Sequence, residues 1–204
     1  MYIPSTNRGA RPEVLREWID EYPFACLAST GDDGLEATHL PLLISADGKR
    51  LRGHMARANG QWQRFSDAPV LAIFQGPHAY ISPTYYEAEF AVPTWNYVAV
   101  HACGTARIID DLAAVRNLLD DLIANSDTYG WTMPWQDDRS SGLLAAIVAF
   151  EIDIERLEGK AKLGQNRSMA DQQGTSQALN SSARAGDREL ARFIEGYQPE
   201  RSAE

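Results

Sequence analysis

Between residues 23 and 57 the chain alternates short apolar, β-branched stretches with tight turns, and this rhythm limits the fold more than any other feature. PFACLAST (23–30) reads as a strand. GDDG (31–34) follows as a turn, with a glycine at each end for positive φ. LEATHLPLLIS (35–45) is the returning strand, ADGK (46–49) a second hairpin turn, and RLRGHMAR (50–57) a third, alternating strand. Chains of hairpins build antiparallel sheet, because parallel strands need long crossovers that this stretch has no room for.

The pattern changes after Arg57. Asn59 is placed to cap a short helix that sets Trp62 and Phe65 on one face. PVLAIFQG (69–76) and HAYISP (78–83) read as two short strands, and WNYVAVHACGTARIID (95–110) as a long one. Helices flank this region. Pro12 to Glu21 carries Val14, Leu15, Trp18 and Ile19 on one stripe behind a proline in the first turn. Asp110 to Asp127 repeats leucines at helical spacing after an acidic start that suits the helix dipole. SGLLAAIVAFEIDIERLEG runs from a short helix into a last strand. Residues 164–188 are rich in Gln, Asn, Ser, Ala and Gly with little apolar periodicity, and read as a mobile segment or weak helix before DRELARFIEGY (187–197) turns helical. The expectation is a mainly β chain with flanking helices, an antiparallel barrel of five to seven strands over residues 1–163, and a polar and helical extension over 164–204. With no GxGxxG and no GxxxxGK[ST], a nucleotide-binding parallel sheet is disfavoured.

Composition narrows the function. Nineteen Lys and Arg against 28 Asp and Glu give a net charge of −9, which repels phosphate backbones at long range. No stretch approaches a membrane-spanning length, and MYIPSTNRGARPE is not a signal peptide. Cys26 and Cys103 lie in apolar strand-like runs far apart, and read as reduced thiols of a cytoplasmic protein. His39, His54, His78 and His101 show neither HxH nor HExxH spacing, so no metal site is expected. There is no GxSxG elbow, and the paired aspartates read as solvated turns and helix surfaces, which leaves hydrolase chemistry without support.

What remains is a set of blocks without acidic residues, rich in histidine and aromatic rings: THLPL (38–42), GHMARAN (53–59), FQGPHAYISP (74–83) and VPTWNY (92–97). Their mixture of apolar, glycine and hydrogen-bonding positions suits a pocket for a flat ligand with a polar edge. Lys49 to Arg64 holds five cations and no acid, so Arg57 and the small residues beside it could take a phosphate. Lys160 to Arg167 is a second basic, amide-rich patch, able to close over a phosphate or to meet a partner.

These blocks, with MYIP at the start and K-L-x-Q-N-R-S at 162–168, resemble the PaiB family of FMN-binding negative transcriptional regulators. That family is similar to the flavin-binding split barrels, a superfamily that includes pyridoxamine-phosphate oxidases and flavin reductases. The resemblance implies an FMN-binding split β-barrel, a homodimer with flavin at the subunit interface, and a regulatory role. It implies that Arg57, Ala58, Asn59 and Gly60 take the flavin phosphate at the end of the His54-Met55-Ala56 strand, with Gln61 and Trp62 following. Backbone groups of His39, Leu40, Pro41 and Leu42, on the neighbouring strand, would meet the isoalloxazine edge, and Trp95 and Asn96 would reach the flavin of the opposite subunit. Two departures stand out. Gln61 takes about the position of a lysine common in split-barrel flavoproteins, and Asn59-Gly60 replaces the family's Asn-Pro, which loosens the turn.

Two function classes follow. One is a flavin-bound repressor that works on DNA or through a partner protein. The other is an FMN-dependent oxidoreductase that passes electrons from a reduced nicotinamide to a small molecule. A haem-binding barrel is a third reading.

Overall fold

The computed structural model describes residues 1–4, 11–31, 34–66 and 68–197. Among them are seven strands and five helices: α1 (Pro12–Glu21), β1 (Phe24–Gly31), β2 (Gly34–Pro41), β3 (Leu43–Ile44), β4 (Arg50–Ala56), β5 (Val70–Ile81), β6 (Thr94–Ile108), α2 (Leu112–Ser126), α3 (Arg139–Ala145), β7 (Ile147–Lys162), α4 (Met169–Asn180) and α5 (Ala185–Gly196). The strands follow the order β2-β1-β5-β6-β7-β4-β3, an antiparallel arrangement that is not closed. Asp32 and Asp33, at the centre of the expected GDDG turn, lie outside the described residues.

The chain folds as two compact units, one of residues 1–15, 75–100 and 158–204, the other of residues 16–74 and 101–157. The second unit holds the first hairpin, with Phe24 opposite Pro41 and Gly31 opposite Gly34. It also holds the β4–β7 ladder, from Arg50 opposite Asp153 to Ala56 opposite Ile147. Alternation along β4 buries Leu51, Gly53 and Met55 and turns the intervening side chains outward. Phe65 and Phe150 meet edge to face, 5.0 Å apart, in its core. Each such ring contributes about 1.5–3 kcal/mol by leaving water. The leucine stripe of α2 behaves as its periodicity predicts: Val115, Leu118 and Leu122 are buried, and Asp111 caps the helix by accepting from the Ala114 N–H (2.8 Å).

In the first unit, α4 packs on α5 and on the turn Pro83–Tyr85. Ser168 caps α4 by accepting from the Asp171 N–H (3.1 Å). Asp171, itself buried, accepts from the backbone N–H groups of Glu87 and Ala88.

Two expectations change. The strand read over 35–45 breaks at Leu42, and the two-residue β3, not β2, is the ladder partner of β4. Pro41 has no N–H with which to continue a ladder, and the Leu42 side chain folds over the bare Cα of Gly53. β2, with His39, and β4, with His54, are therefore not hydrogen-bonded neighbours. The two strands read at 69–83 are one strand, β5, running through Gly76 and Pro77. Its pairing with β1 covers only Leu71 to Phe74, so the missing N–H of Pro77 interrupts no β1 bond. Of the two readings of the polar stretch after residue 164, the helical one holds: it contains α4, where tertiary packing compensates for poor periodicity.

Candidate functional site

The THLP and GHMARAN blocks come together through backbone proximity. Gly53 has no Cβ, and an atom there would lie 3.1 Å from the Pro41 carbonyl oxygen, so the end of β2 and the middle of β4 approach closely. Beside that approach, in the same unit, lies a cavity of about 590 Å³. Pro41 and His54 form its strand side, and Leu119, Leu122, Trp131 and Leu143 are among the apolar groups that α2, α3 and their connection supply. Its size falls within the range of small-molecule pockets. The His54 Nδ1 atom is buried and has no hydrogen-bond partner. Burial pushes the His54 imidazole below its ordinary pKa, so the ring is held neutral.

A second cavity, of about 290 Å³, shares the Leu144 and Ile147 walls of the first and brings Arg57 and Trp62 together with Asp110 and the start of α2. Arg57 has a structural task here. Its Nε donates to the Ala145 carbonyl (2.8 Å) and its Nη2 to the Ile147 carbonyl (2.7 Å), while its backbone N–H donates to the Ala146 carbonyl. The side chain thus satisfies carbonyls where α3 passes into β7, and its Nη1 is left for a ligand. The Trp62 indole N–H donates to the Arg57 carbonyl (3.1 Å). Asn59 caps the short 3-10 helix Gly60–Arg64 by accepting from the Gln61 N–H, and its amide donates to Thr38 Oγ1 (2.7 Å).

The chain matches the model of the "Putative FMN-binding domain" family over residues 1–156. It is 34% identical over 204 residues to "Protease synthase and sporulation protein PAI 2" of Bacillus subtilis, a span that covers 96% of this chain and 97% of that one. The chain belongs to the PaiB family of FMN-binding proteins. Its fold is that of the flavin-binding split barrels. The FAD and heme binding protein of Mycobacterium smegmatis superposes with a TM-score of 0.62 at 19% identity, covering 81% of this chain and 78% of that one. The flavocytochrome Anf3 of Azotobacter vinelandii superposes with a TM-score of 0.59 at 14% identity, covering 73% and 66%. FMN is accordingly the cofactor of this PaiB-family chain.

The blocks that mark the PaiB family divide among several places. Pro41 and His54 share the larger cavity, and Arg57 and Trp62 the smaller. His39 is exposed beside the Phe24 ring, 6.3 Å away, whereas Leu40, Leu42 and Met55 are core. Ala56, Ala58 and Gly60 are exposed on either side of the Asn59 cap. Gln61 is buried at 1% exposure, with its amide donating to the Leu27 carbonyl (2.9 Å) and to Ser29 Oγ (3.0 Å). Its Oε1 is buried without a partner. In the first unit, Trp95 is exposed near His78 and Tyr80, and Asn96 is buried against another cavity. Sequence reasoning missed the α2 and α3 side of the larger cavity. Leu119 and Leu122 read as one core stripe, and periodicity does not tell a core-facing leucine from one that faces a void.

Proposed function

We propose that FMN lies with its ring in the His54 cavity and its phosphate toward Arg57. The observation that carries this is the largely apolar cavity of about 590 Å³, with His54, Ser126 and Asp127 as its polar lining. A flat ring with apolar faces and a polar edge suits such a lining. The apolar walls exclude water from the ring faces, and the free Nη1 of Arg57 meets the phosphate as a charge-assisted donor. FMN bound there supplies redox chemistry that no side chain of this chain offers. The test is the visible absorption spectrum of purified protein, before and after adding FMN and desalting. Retained flavin colour, lost in Arg57→Ala and in Ile123→Trp, which fills the cavity, is the expected result. Wild-type protein that releases all added FMN overturns the reading.

The regulatory reading comes from family membership. As a cytoplasmic homodimer, the protein represses transcription with FMN or its redox state as the signal. The B. subtilis relative, whose name ties it to sporulation, supports this, and the exposed Tyr80, Phe90 and Trp95 suit contact with a second copy. The net charge of −9 favours action through a partner protein or a local basic surface. A gel shift on upstream DNA at moderate salt decides whether repression is direct; no salt-sensitive shift rules direct repression out.

One observation favours an oxidoreductase instead: His54, held neutral, can exchange a hydrogen bond with a substrate stacked on the flavin. Nicotinamide oxidation no faster than with free flavin excludes this.

A further inference from the structure

The first unit contains a cavity of about 210 Å³ that shares no lining residue with the two described above. Tyr86, Thr94, Asn96, Lys162, Asn166 and Arg167 supply its polar lining, and none of its lining residues is acidic. In a chain of net charge −9, two cations without a carboxylate in one small cavity are a departure that calls for a physical reason.

The geometry is built rather than incidental. β7 ends at Lys162, and Gly164, at φ +83°, turns the chain back as only glycine does without strain. The Gln165 side chain locks this turn, accepting from the Leu163 N–H (2.9 Å) and donating to the Ala161 carbonyl (2.6 Å). Asn166 and Arg167 are thereby presented to the cavity. The Arg167 guanidinium lies over the Tyr86 ring, 4.4 Å from its centroid, so the ring holds one face while the in-plane N–H donors stay open. The Lys162 ammonium donates to Thr94 Oγ1 and to the Trp95 carbonyl, which accounts for two of its three protons. Among the described residues, no carboxylate pairs with Lys162 or Arg167. The neighbouring Lys160 is satisfied elsewhere, by the Tyr2 carbonyl and the rings of Tyr2 and Tyr97. Burial lowers the Lys162 pKa first, the Tyr97 hydroxyl partly opposes this, and Lys160 and Arg167 lower it further. The site is thus a partly desolvated cluster of like charges that an anion would relieve.

We propose that this cavity is a phosphate site, with Lys162 and Arg167 neutralising a doubly charged phosphate group and Asn96 and Asn166 adding neutral donors. Two cations match a phosphate dianion better than a single carboxylate, and the guanidinium edge suits its oxygens bidentately. The phosphate belongs either to a separate small molecule or to the tail of a flavin; both share this chemistry, and the second would overturn the placement of the FMN phosphate at Arg57 proposed above. The proposal does not rest on the placement of FMN in the other unit.

The test uses the full chain freed of flavin and titrated with inorganic phosphate against chloride at matched ionic strength, followed by calorimetry and phosphorus NMR line width. Saturable phosphate binding that chloride does not reproduce is expected, with Kd rising about tenfold or more in Arg167→Gln. The Arg167 side chain makes no hydrogen bond to another side chain and only stacks on Tyr86, so this variant should disturb the fold less than Lys162→Met, which loses two structural bonds. Asn166→Ala, at an exposed position, is the second variant and weakens binding less. The same proteins are then titrated with FMN and with riboflavin, which lacks the phosphate. If Arg167→Gln weakens FMN but not riboflavin, the flavin's own phosphate fills the site. If it changes neither, while inorganic phosphate binding is lost, a separate ligand does. Phosphate bound no better than chloride, or bound equally by wild type and both variants, overturns the proposal.

Discussion

Gln61 and His54 are both polar, both close to the candidate flavin site, and opposite in what the fold asks of them. The Gln61 amide ties the 3-10 turn to β1 through the Leu27 carbonyl and Ser29 Oγ. Replacing it with leucine strands those two acceptors away from water, and unfolding measured by denaturant should show a loss of about 2–3 kcal/mol with or without flavin. Flavin affinity measured on the folded fraction should change far less. His54 contributes to acid sensitivity. Its folded pKa is depressed by burial, so as pH falls below the ordinary 6.5 the unfolded chain takes up a proton that the folded chain refuses. Stability should therefore fall with pH from about 6.5 and level off below the folded pKa. A denaturation series across pH 5–8 should show this slope in wild type and a flatter one in His54→Gln. An NMR midpoint for His54 at or above 6.5 would contradict the neutral imidazole. The sequence placed both residues beside the turn. It did not reveal which points into the barrel core and which into the void, because a one-residue change of direction is decided by packing across the sheet.

At the scale of elements, the hairpins, α1, α2 and the long β6 were legible because period and turn chemistry agreed. Elements were misread or ambiguous where those signals disagree. Gly76-Pro77 looks like a break but lies beyond the β1 pairing, and the α4 stretch, readable as mobile segment or weak helix, is a helix capped by Ser168 and anchored through Asp171. Gly104 in β6 offers a sharp test of close packing between strands. A Cβ there would lie 1.9 Å from the Asp153 carbonyl oxygen of β7, a backbone atom with little freedom to retreat. Gly104→Ala should cost about 3 kcal/mol or more in thermal or chemical unfolding. An unchanged melting temperature would mean the two strands separate more easily than their packing indicates.

For the molecule as a whole, composition spoke mainly by exclusion, and the family-bearing blocks identified the flavin barrel. Oligomeric state belongs to this scale. Sedimentation equilibrium should give twice the 22.6 kDa chain mass, and Trp95→Arg should shift the population toward single chains if this exposed indole is covered by a second copy. A wild type sedimenting as a single chain at micromolar concentration would remove the dimer from the regulatory reading. Assembly was implied only by resemblance, because an exposed aromatic in one chain carries no mark of what covers it.

Arg57 faces two ways. Two of its nitrogens hold the carbonyls of Ala145 and Ile147, and Ile147 also walls the His54 cavity. On the FMN placement proposed above, the joint that shapes the ring's enclosure and the group that meets the phosphate are the same side chain. Ring and tail affinities are then not separable energies. In a double-mutant-style cycle of wild type and Arg57→Ala against FMN and riboflavin, the riboflavin leg should also lose affinity although riboflavin has no phosphate to meet. The part of the loss common to both ligands measures the cooperativity that one guanidinium imposes between the two ends of the flavin.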